Sequence, residues 1–361
     1  MKELGLPASA QVAFLSPSSY QVMAACRLRA AFSQMRPGRA PASTSARLGN
    51  ICHGVLERMV RDHSLMEPNW ERLLDDVWAE EVEREGQASV AASEAERLGP
   101  PDRWPDFQLK RARLRKAARR LRGLLVALPA RVEILPEEPL QAYDGRLRGR
   151  ADLIIRGAGA HKVVDYKSGA ALDRQTLSPR DAYVQQLQLY SFLEAWVTGE
   201  WPDTAHLIAL EGPPVDLVVD RAACEALAAR ALSLLDNYNA AAPGPQPATP
   251  GLETCTVCQH ATVCPAFWNS CDATWAPAML AVLGRVEEVH SSPLGGFSLV
   301  LVPERGSVDA PRVMVRNISP MRQPRVAEIR PGSIASILRL RPELERATYA
   351  LRDSGEVALL R

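Results

Sequence analysis

Gly149-Arg150-Ala151-Asp152-Leu153-Ile154-Ile155, followed after a short break by Lys162-Val163-Val164-Asp165-Tyr166-Lys167-Ser168-Gly169, sets the fold class of this chain. Branched aliphatic residues dominate both runs, and this predicts two adjacent strands. Side chains alternate along a strand, so Asp165 and Lys167 project from one face. Asp152 opens an otherwise apolar run beside them. Two carboxylates and an amine set into apolar strands are costly to bury unless they are paired or hold a ligand. Paired carboxylates are hard oxygen donors suited to Mg²⁺ or Mn²⁺. A neighbouring Lys can orient a water or offset charge developing on a phosphate. A salt bridge at a strand end accounts for Asp165 and Lys167 alone, but not for Asp152 as well. The chain has 38 Arg and only 5 Lys, so a Lys at such a position is less readily a chance occurrence.

Working outward, Val132–Leu135, Leu140–Tyr143 and His206–Leu210 also have strand character, with Asp144-Gly145 as a hairpin turn. Helices are expected at about Pro179–Thr198 and Arg221–Tyr238. This alternation predicts a mixed α/β core. Upstream, Ser16-Pro17-Ser18 reads as a helix start, with the helix continuing to about Phe32 through Cys26. A second helix over Ala46–Asp62 buries Leu48, Cys52, Val55, Leu56 and Met59. It carries Gly49, His53 and Glu57 along a different face. Residues 71–96 hold nine acids against Arg72 and Arg84, net −7, and residues 110–122 hold eight bases and no acid, net +8. Both have helical periodicity. Each is either a solvated helix face or, for Lys110, Arg111, Arg113, Arg115, Lys116, Arg119 and Arg120 in the basic run, a phosphate-contacting one.

In this order and spacing the motifs resemble the PD-(D/E)XK nuclease superfamily. More narrowly they resemble its RecB/AddB-like branch, the CRISPR-associated RecB-like exonuclease type. The matching residues are Gly49-x3-His53, Gly149-x2-Asp152, Asp165-x-Lys167-Ser168-Gly169, Gln186-x3-Tyr190 and the opening Ser16-Pro17-Ser18 with Cys26, over about residues 14–270. The resemblance implies a restriction-endonuclease-like mixed sheet flanked by helices. It implies a metal-dependent deoxyribonuclease with Asp152, Asp165, His53 and the Tyr166 carbonyl around Mg²⁺ or Mn²⁺, and Lys167 positioning the attacking water. Gln186 and Tyr190 would support the site or touch DNA. Glu57, Glu133, Glu137 and Glu138 are all candidates for an additional acid, with Glu138 preferred because it opens the strand that feeds the site.

Cys255-x2-Cys258-x5-Cys264 brings three soft thiolates within reach of one centre. With Cys26 the set resembles the four-cysteine [4Fe–4S] site of the same family, and zinc is the alternative. Cys52, Cys224 and Cys271 read as spare thiols. Ala240–Pro250 is a linker by composition. Residues 1–272 therefore form the expected nuclease domain. Residues 273–361, with short strands between Gly and Pro turns, form the expected small β-barrel-like domain, whose turn spacing is compatible with an OB-like barrel. A net charge of +1 does not by itself suggest a nucleic-acid binder. The chain has no apolar run long enough to span a membrane and no secretory leader, so a cytoplasmic protein is expected. It has no phosphate-binding GxxxxGK loop, so any unwinding of DNA has to come from a helicase or a CRISPR or other defence protein. A catalytically silent subunit that tethers DNA is the competing reading.

Overall fold

A computed structural model describes residues 8–34, 44–91, 99–157, 159–173, 176–276, 278–292 and 295–360. The chain divides into two compact units. One comprises Gln11–Ala24 and Ala42–Ala240, and the other Met1–Ala10, Ala25–Pro41 and Ala241–Arg361.

The first unit contains helices α1 (Pro17–Ala25), α3 (Thr44–Arg61), α4 (Trp70–Ala91), α5 (Phe107–Val126), α6 (Asp181–Thr198) and α7 (Arg221–Ala241). Its sheet has the order β1-β2-β3-β4-β5, formed by Glu133–Ala142, Leu147–Arg156, Lys162–Ala170, Thr204–Glu211 and Val215–Val218. Strands β1, β2 and β3 pair antiparallel, β3 and β4 pair parallel, and β5 closes antiparallel. The parallel step needs a crossover, and α6 supplies it. The two expected segments at 132–143 are one strand bent at Glu137, whose φ is 54°. The Asp144-Gly145 turn joins β1 to β2 with Tyr143, Asp144 and Gly145 all left-handed.

The apolar face of α3 is buried as its periodicity predicts. Leu48, Cys52, Val55, Leu56 and Met59 form one cluster with Trp70, Leu74 and Trp78 of α4, Leu114 and Leu121 of α5, and Leu153, Ile155, Val164 and Tyr166 of the sheet. Burial of Cys52 pushes its thiol up to about 12, so it stays a neutral core residue.

Most bases of the run on α5 are engaged by partners within the chain. Arg111 and Arg115 both donate to Asp75 of α4, at 3.1 and 2.7 Å to Oδ1, and Arg119 donates to Glu71 at 2.8 Å. Arg113 pairs with Glu211, and Arg120 donates to the carbonyls of Ala209 and Gly212. Lys110 is buried, 6% exposed, and donates to the Ser168 carbonyl. It therefore cannot meet a phosphate at the surface. Lys116 is exposed. Glu94 and Glu96 of the acidic stretch lie outside the described residues.

The second unit carries a closed barrel of order β10-β8-β7-β6-β9, with strands Thr348–Leu360, Val313–Ile318, Phe297–Gly306, Leu280–Ser291 and Ile334–Pro342. Counted within the barrel the order is 1-2-3-5-4, closing back on 1, and only β8 with β10 is parallel. Thr348–Leu360 is one strand with a register shift between Leu351 and Glu356. Val282, Val286, Leu299, Leu301, Val315 and Ile337 fill the interior. This unit also contains α2 (Arg27–Gln34) and the short helices α8 (Leu252–Cys255) and α9 (Pro265–Ser270). The single helix expected from Ser16 to Phe32 breaks at Cys26, because the Leu28 N–H leaves the helical ladder for the Pro247 carbonyl at 3.1 Å. No helix among the described residues is long and apolar enough to cross a membrane.

Candidate functional site

The bend in β1 creates an acidic centre. Register pairs Pro136↔Leu153 and Glu138↔Ala151 place Glu137 opposite Asp152. A left-handed conformation is strained for a residue with a side chain and persists only where its surroundings enforce it. Here Pro136 and Pro139 flank the position on an edge strand, where a missing N–H is tolerated. His53 reaches in from α3, its Nε2 lying 2.8 Å from Asp152 Oδ2. The same oxygen accepts the Tyr166 backbone N–H at 2.6 Å, which clamps the carboxylate to β3. Ligand atoms of His53, Glu137 and Asp152 all lie within 4.8 Å of one another.

Asp165 is 1% exposed, and its Oδ1 has no hydrogen-bond partner among the described residues. Lys167 Nζ, two residues on, lies 2.5 Å from Oδ2 as an ion pair. Burial first, and then the Asp152 charge, push the Asp165 carboxyl up to about 7, against the pull of Lys167 and His53. Burial together with Glu57 and Asp152 also raises Glu137. Burial opposes protonation of His53, yet the Asp152 hydrogen bond and the charges of Asp152, Asp165 and Glu137 outweigh it and raise its pKa. This is a site with excess negative charge and too few cations. A divalent metal fits the donor set of His53, Glu137 and Asp152, one imidazole and two carboxylates, and the orphaned oxygen of the buried Asp165 lies outside that group.

Close packing explains the glycines. A Cβ at Gly49 would sit 2.7 Å from Ser168 Oγ, so glycine lets α3 approach β3 and brings His53 to the acids. A Cβ at Gly149 would sit 2.8 Å from Pro17 and 3.1 Å from the Tyr190 ring, so the opening helix, β2 and α6 converge there. Gln186 hydrogen-bonds Tyr190 along α6, and burial raises the Tyr190 hydroxyl. Lys167 Nζ lies 5.3 Å from the centre of the Tyr183 ring, a contact not anticipated from the sequence. Of the four candidate glutamates, Glu137 is the one within ligand distance. Glu138, the preferred one, turns to Arg156 at 3.3 Å, Glu57 pairs with Arg61, and Glu133 is exposed at the strand start. Side chains alternate, so only one of Glu137 and Glu138 can face the acids. The two flanking prolines were the available signal for a bend.

In the other unit Cys26, Cys255, Cys258 and Cys264 line one cavity. Each sulfur has a backbone N–H directed at it. Thr249 donates to Cys26 at 3.5 Å, Gly251 to Cys255, His260 to Cys258, and Ala266 and Phe267 to Cys264. Cys271 lies outside that cavity and bonds Ser307, its thiol pushed up to about 12 by burial. His260 stacks on Phe32 at 5.2 Å.

The sequence over residues 14–265 matches the model of the PD-(D/E)XK nuclease superfamily. No curated protein shows significant similarity to the chain. The matched stretch covers well over half of the protein and contains Gly49, His53, Asp152, Asp165, Lys167, Gln186 and Tyr190. Together with a mixed sheet bearing acids ready for a metal, it shows that the chain belongs to the PD-(D/E)XK nuclease superfamily of metal-dependent nucleases.

Proposed function

We propose that the protein is a RecB/AddB-like deoxyribonuclease, an exonuclease on single-stranded or end-bearing DNA that uses Mg²⁺ or Mn²⁺. The observation that carries this reading is the buried Asp165, with an unpartnered oxygen, beside Asp152 and in ion-pair contact with Lys167. His53, Glu137, Asp152, Asp165 and the Tyr166 carbonyl are the groups to hold the cation. When bound, a divalent cation supplies Lewis acidity and offsets charge on the phosphate. Lys167, in ion-pair contact with Asp165, presents Nζ to the attacking water. Tyr166, through its amide, holds Asp152 in place. Gln186 and Tyr190 brace the floor beneath Gly149. The test is cleavage of end-labelled single- and double-stranded DNA with either metal. Wild type is expected to cut, and Asp165→Asn and Lys167→Ala to lose at least about 100-fold while remaining folded. Full activity in either variant refutes the assignment.

The four thiols support a [4Fe–4S] cluster that staples residue 26 to residues 255–264. Soft thiolates with an N–H on every sulfur are the environment such a cluster uses. Protein purified without oxygen should be brown with about four irons per chain, whereas stoichiometric zinc and no iron would refute the cluster. The barrel's strand order is that of an OB-fold, and its arginines are largely paired, Arg312 with Glu287 and Arg316 with Glu345. This supports a docking role for a helicase or defence protein over a stacking platform for bases. A cytoplasmic role in repair, recombination, CRISPR adaptation or phage defence fits this reading.

A further inference from the structure

One face of β2 has a pattern that the metal site does not use. Arg148, Arg150 and Asp152 are spaced two apart on one strand, so they project from the same face. Their contacts agree. Arg150 Nη1 lies 3.8 Å from Glu137 Oε2, the carboxylate that sits opposite Asp152. One step further out, the Arg148 guanidinium lies 3.6 Å over the Phe14 ring.

Phe14 is held there by backbone. Leu15 N–H donates to the Arg146 carbonyl at 2.9 Å, and Arg148 N–H donates to the Leu15 carbonyl at 3.0 Å. Leu15 is buried, 1% exposed, which turns its neighbour Phe14 to the outer side with Arg148. A guanidinium stacked on a ring keeps its N–H donors in the plane, pointing away from the ring and matched to phosphate oxygens. Among the described residues no hydrogen bond or ion pair engages the Arg148 side chain, whereas the arginines of α5 have protein partners.

We infer that Arg148 and Arg150 bind successive phosphates of the nucleic-acid strand being cut, and that Phe14 is the rigid seat for Arg148. Two residues of strand span about 6.6 Å, a step comparable with neighbouring phosphates along an extended nucleic-acid strand. The track runs along β2 from the hairpin to Asp152 and delivers the scissile phosphate to the acids. The ligand class is a single phosphodiester strand, read by its backbone and not by its bases. This inference rests on the nuclease reading and adds the path by which its substrate arrives.

The test is binding of a short fluorescein-labelled single-stranded DNA to the full chain in EDTA, at a series of salt concentrations. Each lost phosphate contact should flatten the plot of log affinity against log salt by about 0.7, so Arg148→Ala/Arg150→Ala flattens it by about 1.4. Each single variant should weaken binding roughly 3–10-fold at moderate salt. Phe14→Ala weakens binding without changing the slope, because the charge remains. Arg72→Ala, which removes an exposed charge on α4, leaves slope and affinity as they were. In cleavage assays with Mg²⁺, Arg148→Ala should raise KM and leave kcat within about twofold. An unchanged slope in the double variant overturns the track, even where wild type cleaves. A wild type that binds no single strand at low salt overturns it too. A chain whose salt slope depends on both arginines but that cuts nothing keeps the track and removes the nuclease reading instead.

Discussion

Asp165 has a cost and a use. Its carboxyl titrates near 7, raised from an ordinary 3.8. An acid whose pKa is raised in the folded state stabilises that state below its ordinary pKa. The contribution is lost as pH climbs from about 4 through about 7. His53, raised by its acidic neighbours, acts in the same direction, since its favourable charge is lost as pH rises through its own raised value. Metal-free protein should therefore lose stability between pH 4 and 8. Asp165→Asn should be more stable than wild type in EDTA at pH 8, by about 1–3 kcal/mol in denaturant melts, and equal to it near pH 4. A variant less stable than wild type at pH 8 would contradict this account of the site's electrostatics. The cation needs the ionised site, so below about pH 7 binding must displace the Asp165 proton, and affinity measured calorimetrically should rise up to about pH 7 and then level. Glu137→Gln should weaken binding of the cation by about 10-fold, and Glu138→Gln should leave it unchanged, because only the first side chain faces Asp152.

Individual elements are held by contacts that no local pattern announces. Gly49→Ala pushes a methyl into Ser168, and should cost about 1–3 kcal/mol by equilibrium unfolding. Adding Ser168→Gly should recover much of that loss, and strict additivity of the two would show that the close approach is not the cause. Helix α6, which carries Gln186 and Tyr190, is tied to the sheet by a triad around the buried Glu194. Arg156 donates to Glu194 at 2.6 and 2.9 Å, and His161 Nε2 lies 2.8 Å from the same carboxylate. Glu194 is fully buried, so Glu194→Ala strands two partners and should destabilise by about 3–5 kcal/mol in thermal or denaturant melts. The strand pattern at 132–143 reads as two pieces because prolines interrupt it, and hydrogen bonding to β2 on both sides of Glu137 makes it one. Conversely β5, four residues long, has no pattern of its own and exists because β4 offers it an edge.

Across the whole molecule, near-neutral charge conceals a division of labour. The acidic and basic helices answer one another residue by residue, Asp75 with Arg111 and Arg115, and Glu71 with Arg119. Exposed pairs of this kind contribute little stability each. They do explain why a run of eight bases leaves little free charge for a substrate. The proposed cluster would link the chain over its longest reach, since Cys26 and Cys255 are 229 residues apart. Closing so long a loop would constrain the unfolded chain strongly, on the order of 5 kcal/mol for a covalent link. Cys26→Ser should lower iron content and reduce the thermal midpoint by several degrees, while Cys224→Ser, in a buried thiol on α7, should leave iron content unchanged. The mixed core, the hairpin, the buried face of α3 and the barrel strands were all legible in the chain, because each follows from spacing along one element. So was the placing of Asp152, Asp165 and Lys167 on neighbouring strands, since acids and a lysine in apolar strands stand out against their neighbours. Three things were not legible. These are the choice of Glu137 over Glu138, the engagement of the α5 arginines, and the alignment of Phe14 with Arg148 and Arg150 toward Asp152. Each depends on which face a residue presents to a segment far away in the chain, and that is settled only when strands pair and helices dock.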